Sequence, residues 1–510
     1  MSCHFQASPG VDAEMLGTFL LAQTGMRPTD VRRIERWYLD TFDHRLAQAG
    51  WALDADSQSQ HLPVVHLRRL GTEQQDQLHG LTSLPTLATD IPRPRLRNRL
   101  INLTEGRALL PVSAGHITVH ALDCLDARGK LTARFLIETS SELPASTVLR
   151  VQAITGFEPV GQRVIRAARR AGLVKPLRED CGLFWLKQLG RAPAQYRPKP
   201  IIALRAEQGS ARALAKLLRA YTHVMQTNEA GIVADLDSEF LHDYRVALRS
   251  IRSWLGDLKS TIALDLRARF RAELSTLNRA TGALRDMDVL GGCLDAYLAA
   301  CPEVPPAAAA ALRQRVQSTR EAARAALKTH LLSPEYQAAM QSWGEFLDAL
   351  GRGKHAGRRG RSPVLNTVSR ALRQRRLAIL RFDPVEARHD PETLHELRKD
   401  CKKLRYLLEG FQRLYAPEAL QRAVRELKTL QSAMGDTWDL HVHHELLQRL
   451  VQGDSAESPV DPGALQLLTT LGERLGSLER KHVALVDAAF ARFRAPRVQR
   501  LYARLEENRT

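Results

Sequence analysis

Several things are scarce in this 510-residue chain, and each shortage removes a class of answer. Cysteine is rare: Cys3, Cys124, Cys181, Cys293, Cys301 and Cys401 are scattered, with no CxxC or paired spacing. That argues against a disulfide framework and against a thiolate zinc site, and fits a reducing, cytoplasmic setting. No run of about eighteen apolar residues occurs, so no membrane-spanning helix is expected. The opening Met-Ser-Cys-His-Phe-Gln has no basic segment leading into an apolar one, so no signal peptide is expected either. Aromatic residues make up only 5% of the chain, which is thin for the stacking platforms of single-strand nucleic-acid binders. Acidic residues are also in deficit: 56 Asp and Glu face 74 Lys and Arg, for a formal charge of +18. That balance points to a polyanionic partner. Arg carries most of the excess, and its planar fork suits bidentate recognition of phosphate.

The length provides for two or three domains with real cores. Residues 1–174 read as mixed α and β. Helices are expected over 11–24 and 160–172, and strands over 33–39, 64–70, 117–122, 134–138 and 147–153. The polar, proline-bearing stretch 71–98 reads partly as loop. Residues 175–206 contain Pro176, Pro193, Pro198 and Pro200 and read as a linker with a short helix near 184–189. Tyr38-Leu39-Asp40-Thr41, followed by Leu46 and Gly50, is what any strand and Asx-type turn could carry. It also resembles the corresponding segment of the CYTH, or triphosphate tunnel metalloenzyme, family, and Arg134–Glu138 is similar to a later acidic strand of that family. The resemblance implies an antiparallel sheet closed into a tunnel. The family's catalysis rests on an N-terminal Glu-x-Glu-x-Lys strand that holds a divalent metal, and nothing in Met1–Glu14 matches it. After Gly50, where the family has a basic strand, Trp51–Asp56 carries the acids Asp54 and Asp56. Two-metal phosphoryl chemistry needs clustered carboxylates and neutralising cations together. The domain is therefore expected to be catalytically degenerate. No catalytic residue, metal ligand or cofactor is assigned; a divalent metal would enter only if this domain were active.

From residue 207 onward strand signals almost vanish. Helical periodicity occupies 209–229, 237–259, 264–300, 306–330, 333–350, 363–381, 391–415, 417–450 and 463–505. One stretch is unusual. His242, Arg245, Arg249 and Arg252 recur at spacings of three, four and three, which sets them within one sector of a helix about 80° wide. A face that normally packs is here cationic. His395, Arg398, Lys402 and Arg405 repeat the pattern 153 residues later. The same offset relates Gly282 to Gly435, Asp286 to Asp439 and Leu277 to Leu430. The region thus reads as two bundles of about four helices, 207–351 and 363–505, joined by the basic, glycine-rich segment 352–362. Homologous bundles pack around a pseudo-twofold axis. If both stripes face it, the eight side chains line one cavity, which would repel itself without an anion. Lys216, Arg219 and His223, and Arg370, Arg373 and Arg376, form further one-sided sets expected to flank it. The nearby acids Asp243, Glu396 and Asp400 point elsewhere around their helices, so a solvated face laced with i, i+4 pairs is the weaker reading of the stripes. Each histidine either contacts the anion or fixes helix packing. Asp286 and Asp439 either orient arginines or cap helices, and orientation is preferred. The segment 352–361 is expected to be a flexible, solvated linker. His441, His443 and His444 lack accompanying ligands, so structural or surface roles are expected rather than a metal site.

The paired segments beginning at His242 and His395, with the Gly-x3-Asp elements ending at Asp286 and Asp439, resemble the CHAD family (conserved histidine α-helical domain). The resemblance covers roughly 207–505. It implies two pseudo-symmetric four-helix bundles around a basic pore that binds inorganic polyphosphate, with a role in targeting to or organising polyphosphate granules. A CYTH-like domain followed by CHAD is a known order. Two other classes compete: a metal-dependent triphosphate or polyphosphate hydrolase using the N-terminal domain, and a nucleic-acid-binding helical protein. The second lacks any helix-turn-helix or RNP-like signature beside the stripe.

Overall fold

The structure is a computed structural model, and it describes residues 3–507 apart from 58–62, 71–74, 141, 143–145, 178–180, 189–195, 303, 384–390, 453–467, 471 and 474–484. The side chains of residues 3, 75, 181–183, 186, 391, 435–441 and 452 also fall outside the description. The chain divides into two compact units, Met1–Tyr196 and Arg197–Thr510.

The first unit is built on one sheet. Its strands are β1 (Cys3–Ala7), β2 (Met26–Asp40), β3 (Trp51–Ser57), β4 (Val64–Arg69), β5 (Gln75–Leu78), β6 (Leu110–Leu125), β7 (Leu131–Ser140), β8 (Val148–Ala153) and β9 (Val174–Pro176). They pair antiparallel in the order β5-β4-β3-β2-β6-β7-β8-β1-β9. β4 and β1 stand near opposite ends of that order, yet Arg68 of β4 lies 3.3 Å from His4 of β1. The sheet is therefore rolled. Side chains alternate across it as the pleat requires. Leu39, Leu53, Ala55, Val65 and Leu67 face outward and are covered by Ile91, Leu96 and Leu100. Phe135, Ile137, Leu149 and Val151 pack with Leu16, Leu20, Val164 and Ile165 from the helices α1 (Ala13–Leu21) and α4 (Glu158–Arg170). The short helices α2 (Arg45–Gln48) and α3 (Pro94–Thr104) complete the outer layer. Inside the roll the same strands turn in Arg36, Asp54, Arg68, Glu138 and Arg150, all buried.

Two expectations need correction here. β3 was left out of the expected strands, although Trp51, Leu53 and Ala55 on its outer, apolar face alternate with the inward carboxylates Asp54 and Asp56. The segment from 175 does not behave only as a linker. β9 pairs with β1, and helix α5 (Cys181–Gln188) carries Phe184 and Trp185 into the cluster of Ile34, Tyr38, Leu136 and Val148. Those apolar contacts hold it in the first unit.

The second unit is helical: α6 (Ser210–Ala234), α7 (Ser238–Asp257), α8 (Leu264–Ala280), α9 (Gly282–Ala299), α10 (Pro306–Leu331), α11 (Pro334–Gly351), α12 (Val364–Leu380), α13 (Pro391–Gly410), α14 (Pro417–Gln452) and α15 (Pro496–Glu507). Asp237 caps α7, accepting from the N–H groups of Glu239 (2.8 Å) and Phe240 (3.2 Å), and so fixes where the His242 stripe begins. α7 and α13 pack against each other, joining the two halves. The segment expected as one helix over 264–300 is broken at Thr281, whereas its counterpart in the second half, α14, runs unbroken. Thr281 is fully buried, and its Oγ1 donates to the Asn278 carbonyl at 3.0 Å, a local alternative to the helical bond.

The segment 352–361, expected to be flexible, is pinned. Gly357 donates to Thr261 O (2.9 Å), Arg359 to Ser260 O (2.8 Å), and Ala263 to His355 O (2.9 Å). A side chain at Gly357 or Gly360 would collide with the backbone it lies against, which explains the glycines. Next to it the starts of α6 and α12 bond to each other, Ser210 N to Ser362 O (2.9 Å) and Val364 N to Gln208 O (2.8 Å).

Candidate functional site

The two stripe helices open onto one cavity of about 690 Å³. His242, Arg245 and Arg249 line it from α7, and His395, Arg398, Lys402 and Arg405 from α13. Neighbouring helices add Arg285 and Asp286 from α9, and Lys428, Gln431, Ser432 and His443 from α14. Seven permanent cations thus share the wall with Asp286, its only described carboxylate.

Each side chain has a local reason for its position. Arg245 docks at the break between α8 and α9: its guanidinium donates to Thr281 Oγ1 (2.8 Å) and to the Asn278 carbonyl (3.1 Å). A helix C-terminus is where a cation is favoured. Arg249 Nε donates to the Arg245 carbonyl at 3.2 Å. His242 Nδ1 lies 3.0 Å from a nitrogen of Arg285. A guanidinium can only donate, so Nδ1 accepts and the proton of neutral His242 sits on Nε2. Neutral His242 thus holds the Arg285 guanidinium at the cavity wall. His443 Nδ1 meets Tyr297 Oη at 2.7 Å and is buried, a packing role. His444 meets Gln448 at 3.3 Å. Gln431 is 8% exposed, and among the described residues neither its Nε2 nor its Oε1 has a hydrogen-bond partner.

The electrostatics carry the mark of crowding. Burial, then Arg249, lower the pKa of Arg245 to about 10. Burial, then Lys399, lower that of His395 to about 4, with Arg398 and Lys402 adding to the shift. Burial raises Asp286 against the opposing pull of Arg245. Like charges this close cost free energy unless an anion lies among them.

Not every expected residue arrives. Arg252 points along α7 away from the cavity, donating to Ser275 Oγ at 3.1 Å beside Arg271 and Arg279. Lys216, Arg219 and His223 lie on the exposed face of α6, where Arg219 pairs with Asp348. Arg370 and Arg373 are exposed on α12, and Arg376 forks onto Glu506 with a further bond to Gln499 (2.8 Å). Asp439 and His441 belong to α14, but their side chains lie outside the described residues. Arg285, Lys428, Gln431 and Ser432 were missed. Two of them left a trace in the sequence: Arg285 stands inside the Gly-x3-Asp element that ends at Asp286, and Gln431 one residue past Leu430, which the 153-residue offset relates to Leu277.

In the first unit the inward charges satisfy one another. Arg36 donates to Asp56 (2.6 and 2.8 Å) and to Glu138 (2.6 Å), Arg150 pairs with Glu138 (3.0 Å), and Arg68 pairs with Asp54. Glu138 is held below the usual carboxylate range by Arg150 and Arg36 despite complete burial. Asp54, Asp56 and His66 bring ligand-type atoms within 4.8 Å of one another. Both oxygens of Asp56 and one of Asp54 are already engaged by arginine, so a cation there would have to displace those pairs.

An all-helical unit of two related halves enclosing a cationic cavity defines the class. Residues 216–448 match the CHAD domain family, and the chain carries a CHAD domain. Two uncharacterized proteins of Mycobacterium tuberculosis, from strains CDC 1551 and H37Rv, are each 28% identical over 222 residues. These matches cover 42% of this chain but only 41% of each relative's length. Among solved structures, the CHAD domain from the plant Ricinus communis is similar at 24% identity and a TM-score of 0.48, covering 59% of this chain and 98% of that one. PptA from Streptomyces chartreusis is similar at 15% identity and a TM-score of 0.42, covering 58% and 99%. Among the described residues no helix is long and apolar enough to cross a membrane.

Proposed function

We propose that the CHAD domain binds inorganic polyphosphate in the cavity between its two halves, and that this binding serves to target the protein to polyphosphate granules or to organise them. The observation that carries the reading is the convergence of the duplicated stripe: three side chains from α7 and four from α13 face one volume, with seven cations against one carboxylate among the described residues. A linear chain bearing about one charge per unit suits such a wall, and Arg supplies forked contacts to phosphate oxygens. Recognition of this kind is independent of sequence and weakens steeply with salt. Inside the roll of the first unit Arg36, Arg68 and Arg150 are matched by Asp54, Asp56 and Glu138, so that interior offers no cationic surplus for phosphate and we assign it no hydrolysis.

The test is a titration of the full chain with polyphosphate at two salt concentrations, repeated on Arg249→Glu with Lys402→Glu. The double variant should lose binding while its helical circular dichroism persists. Undiminished affinity would overturn the assignment, and equal competition by excess duplex DNA would favour a nucleic-acid ligand.

A further inference from the structure

A second basic hollow lies on the same long helix. Arg422 and Arg425 of α14 face Arg497, Arg500 and Arg504 of α15 across a cavity of about 500 Å³. Among the described residues one carboxylate lines it, Glu426, and both its oxygens are taken by Arg492 at 2.6 and 3.0 Å. None of the five lining arginines has a carboxylate within ion-pair distance among the described residues. α15 also begins here. It starts at Ala495-Pro496, where no side chain can cap it, and puts Arg497 in the first turn instead of an acid. A cation at the positive end of a helix dipole is unfavourable by itself, and exposed N–H groups there attract anions.

The two hollows adjoin. Arg425 precedes Lys428 by three residues and Ser432 by seven, and at about 100° per residue the three fall within roughly 60° of one another. Lys428 and Ser432 line the first cavity and Arg425 lines the second. The cationic surface therefore continues along α14 from one to the other.

We propose that the α14–α15 hollow is a second anion site, which takes the part of a phosphate chain that extends beyond the first cavity. This rests on the polyphosphate reading above. A chain anchored at the first site presents its remainder to the second at high effective concentration, so long chains gain affinity that short ones do not. The hollow makes the CHAD domain a length-sensitive binder.

The experiment compares inorganic triphosphate with size-fractionated long-chain polyphosphate on the full chain, wild type against Arg497→Gln/Arg500→Gln/Arg504→Gln. The variant should bind the long chain at least about tenfold more weakly, with a flatter salt slope, and triphosphate as wild type does. If helical circular dichroism shows the triple variant unfolded, Arg422→Gln/Arg425→Gln removes the opposite wall and is read the same way. Unchanged long-chain affinity, or an equal loss for both probes, overturns the second site. Wild-type protein that binds neither probe overturns the polyphosphate reading itself, a result distinct from either of these.

Discussion

The indole Nε1 of Trp254 donates to the backbone carbonyl of Tyr406 at 3.1 Å, tying α7 to α13. The ring is fully buried, meets Tyr221 edge-on at 4.7 Å, and lies over Gly410, where any side chain would collide with it. Both helices carry the cationic stripes, so this contact sets the width of the cavity they enclose. Trp254→Ala should lower the unfolding free energy by about 3–5 kcal/mol, as truncation of a large buried aromatic does. Trp254→Phe should cost about 1 kcal/mol by removing the indole hydrogen bond to the Tyr406 carbonyl. Urea denaturation measures both, and wild-type stability in the alanine variant would remove this contact from the account.

Gln431 sits in the cavity wall with two buried polar atoms that have no hydrogen-bond partner among the described residues, a condition that costs about 1–3 kcal/mol. Gln431→Met should therefore stabilise the free protein by about 1 kcal/mol. It should also weaken polyphosphate binding about tenfold, because the amide is positioned to donate to a phosphate oxygen; a tenfold loss is 1.4 kcal/mol. Melting temperature and titration report the two effects separately. A variant that is neither more stable nor weaker in binding would show that the amide serves neither purpose.

His395 supplies a pH dependence with a definite sign. Its folded-state pKa, lowered to about 4 by burial and by Lys399, Arg398 and Lys402, lies below the ordinary value near 6.5. The unfolded chain then binds more protons in that interval, so the free protein should lose stability as pH falls from about 6.5 towards 4. An anion in the cavity offsets the neighbouring cations and raises this pKa, so binding takes up a proton and tightens over the same range. Calorimetry in buffers of different ionisation heat measures that uptake, and His395→Gln should reduce it. Uptake unchanged in His395→Gln would assign the proton elsewhere.

The stripes were legible because helical spacing is local information: three, four and three residues place side chains on one face whatever surrounds them. Spacing does not say which way the face points. Lys216, Arg219 and His223 obey the same rule on the outside of α6, whose buried face belongs to Leu214, Leu217, Leu218, Tyr221 and Met225. Arg285 and Lys428 reach the cavity from other helices, at separations that only the packing fixes. The break at Thr281 was hidden because a threonine there interrupts no periodicity; its hydroxyl matters once Arg245 is beside it. In the first unit the sheet was only half visible, since strands of a roll with a charged interior alternate the wrong way for a reader expecting an apolar inside.

The pinned segment 352–362 has a consequence for the molecule at low abundance. A cavity made between two identical subunits exists only where the subunits meet, and its stability then depends on their concentration. Here the two halves are one chain, and the starts of α6 and α12 are bonded where they meet, Ser210 to Ser362 and Val364 to Gln208. Dilution cannot separate them. The cavity keeps its shape in a cell holding few copies, and both of its walls are made in a single act of translation.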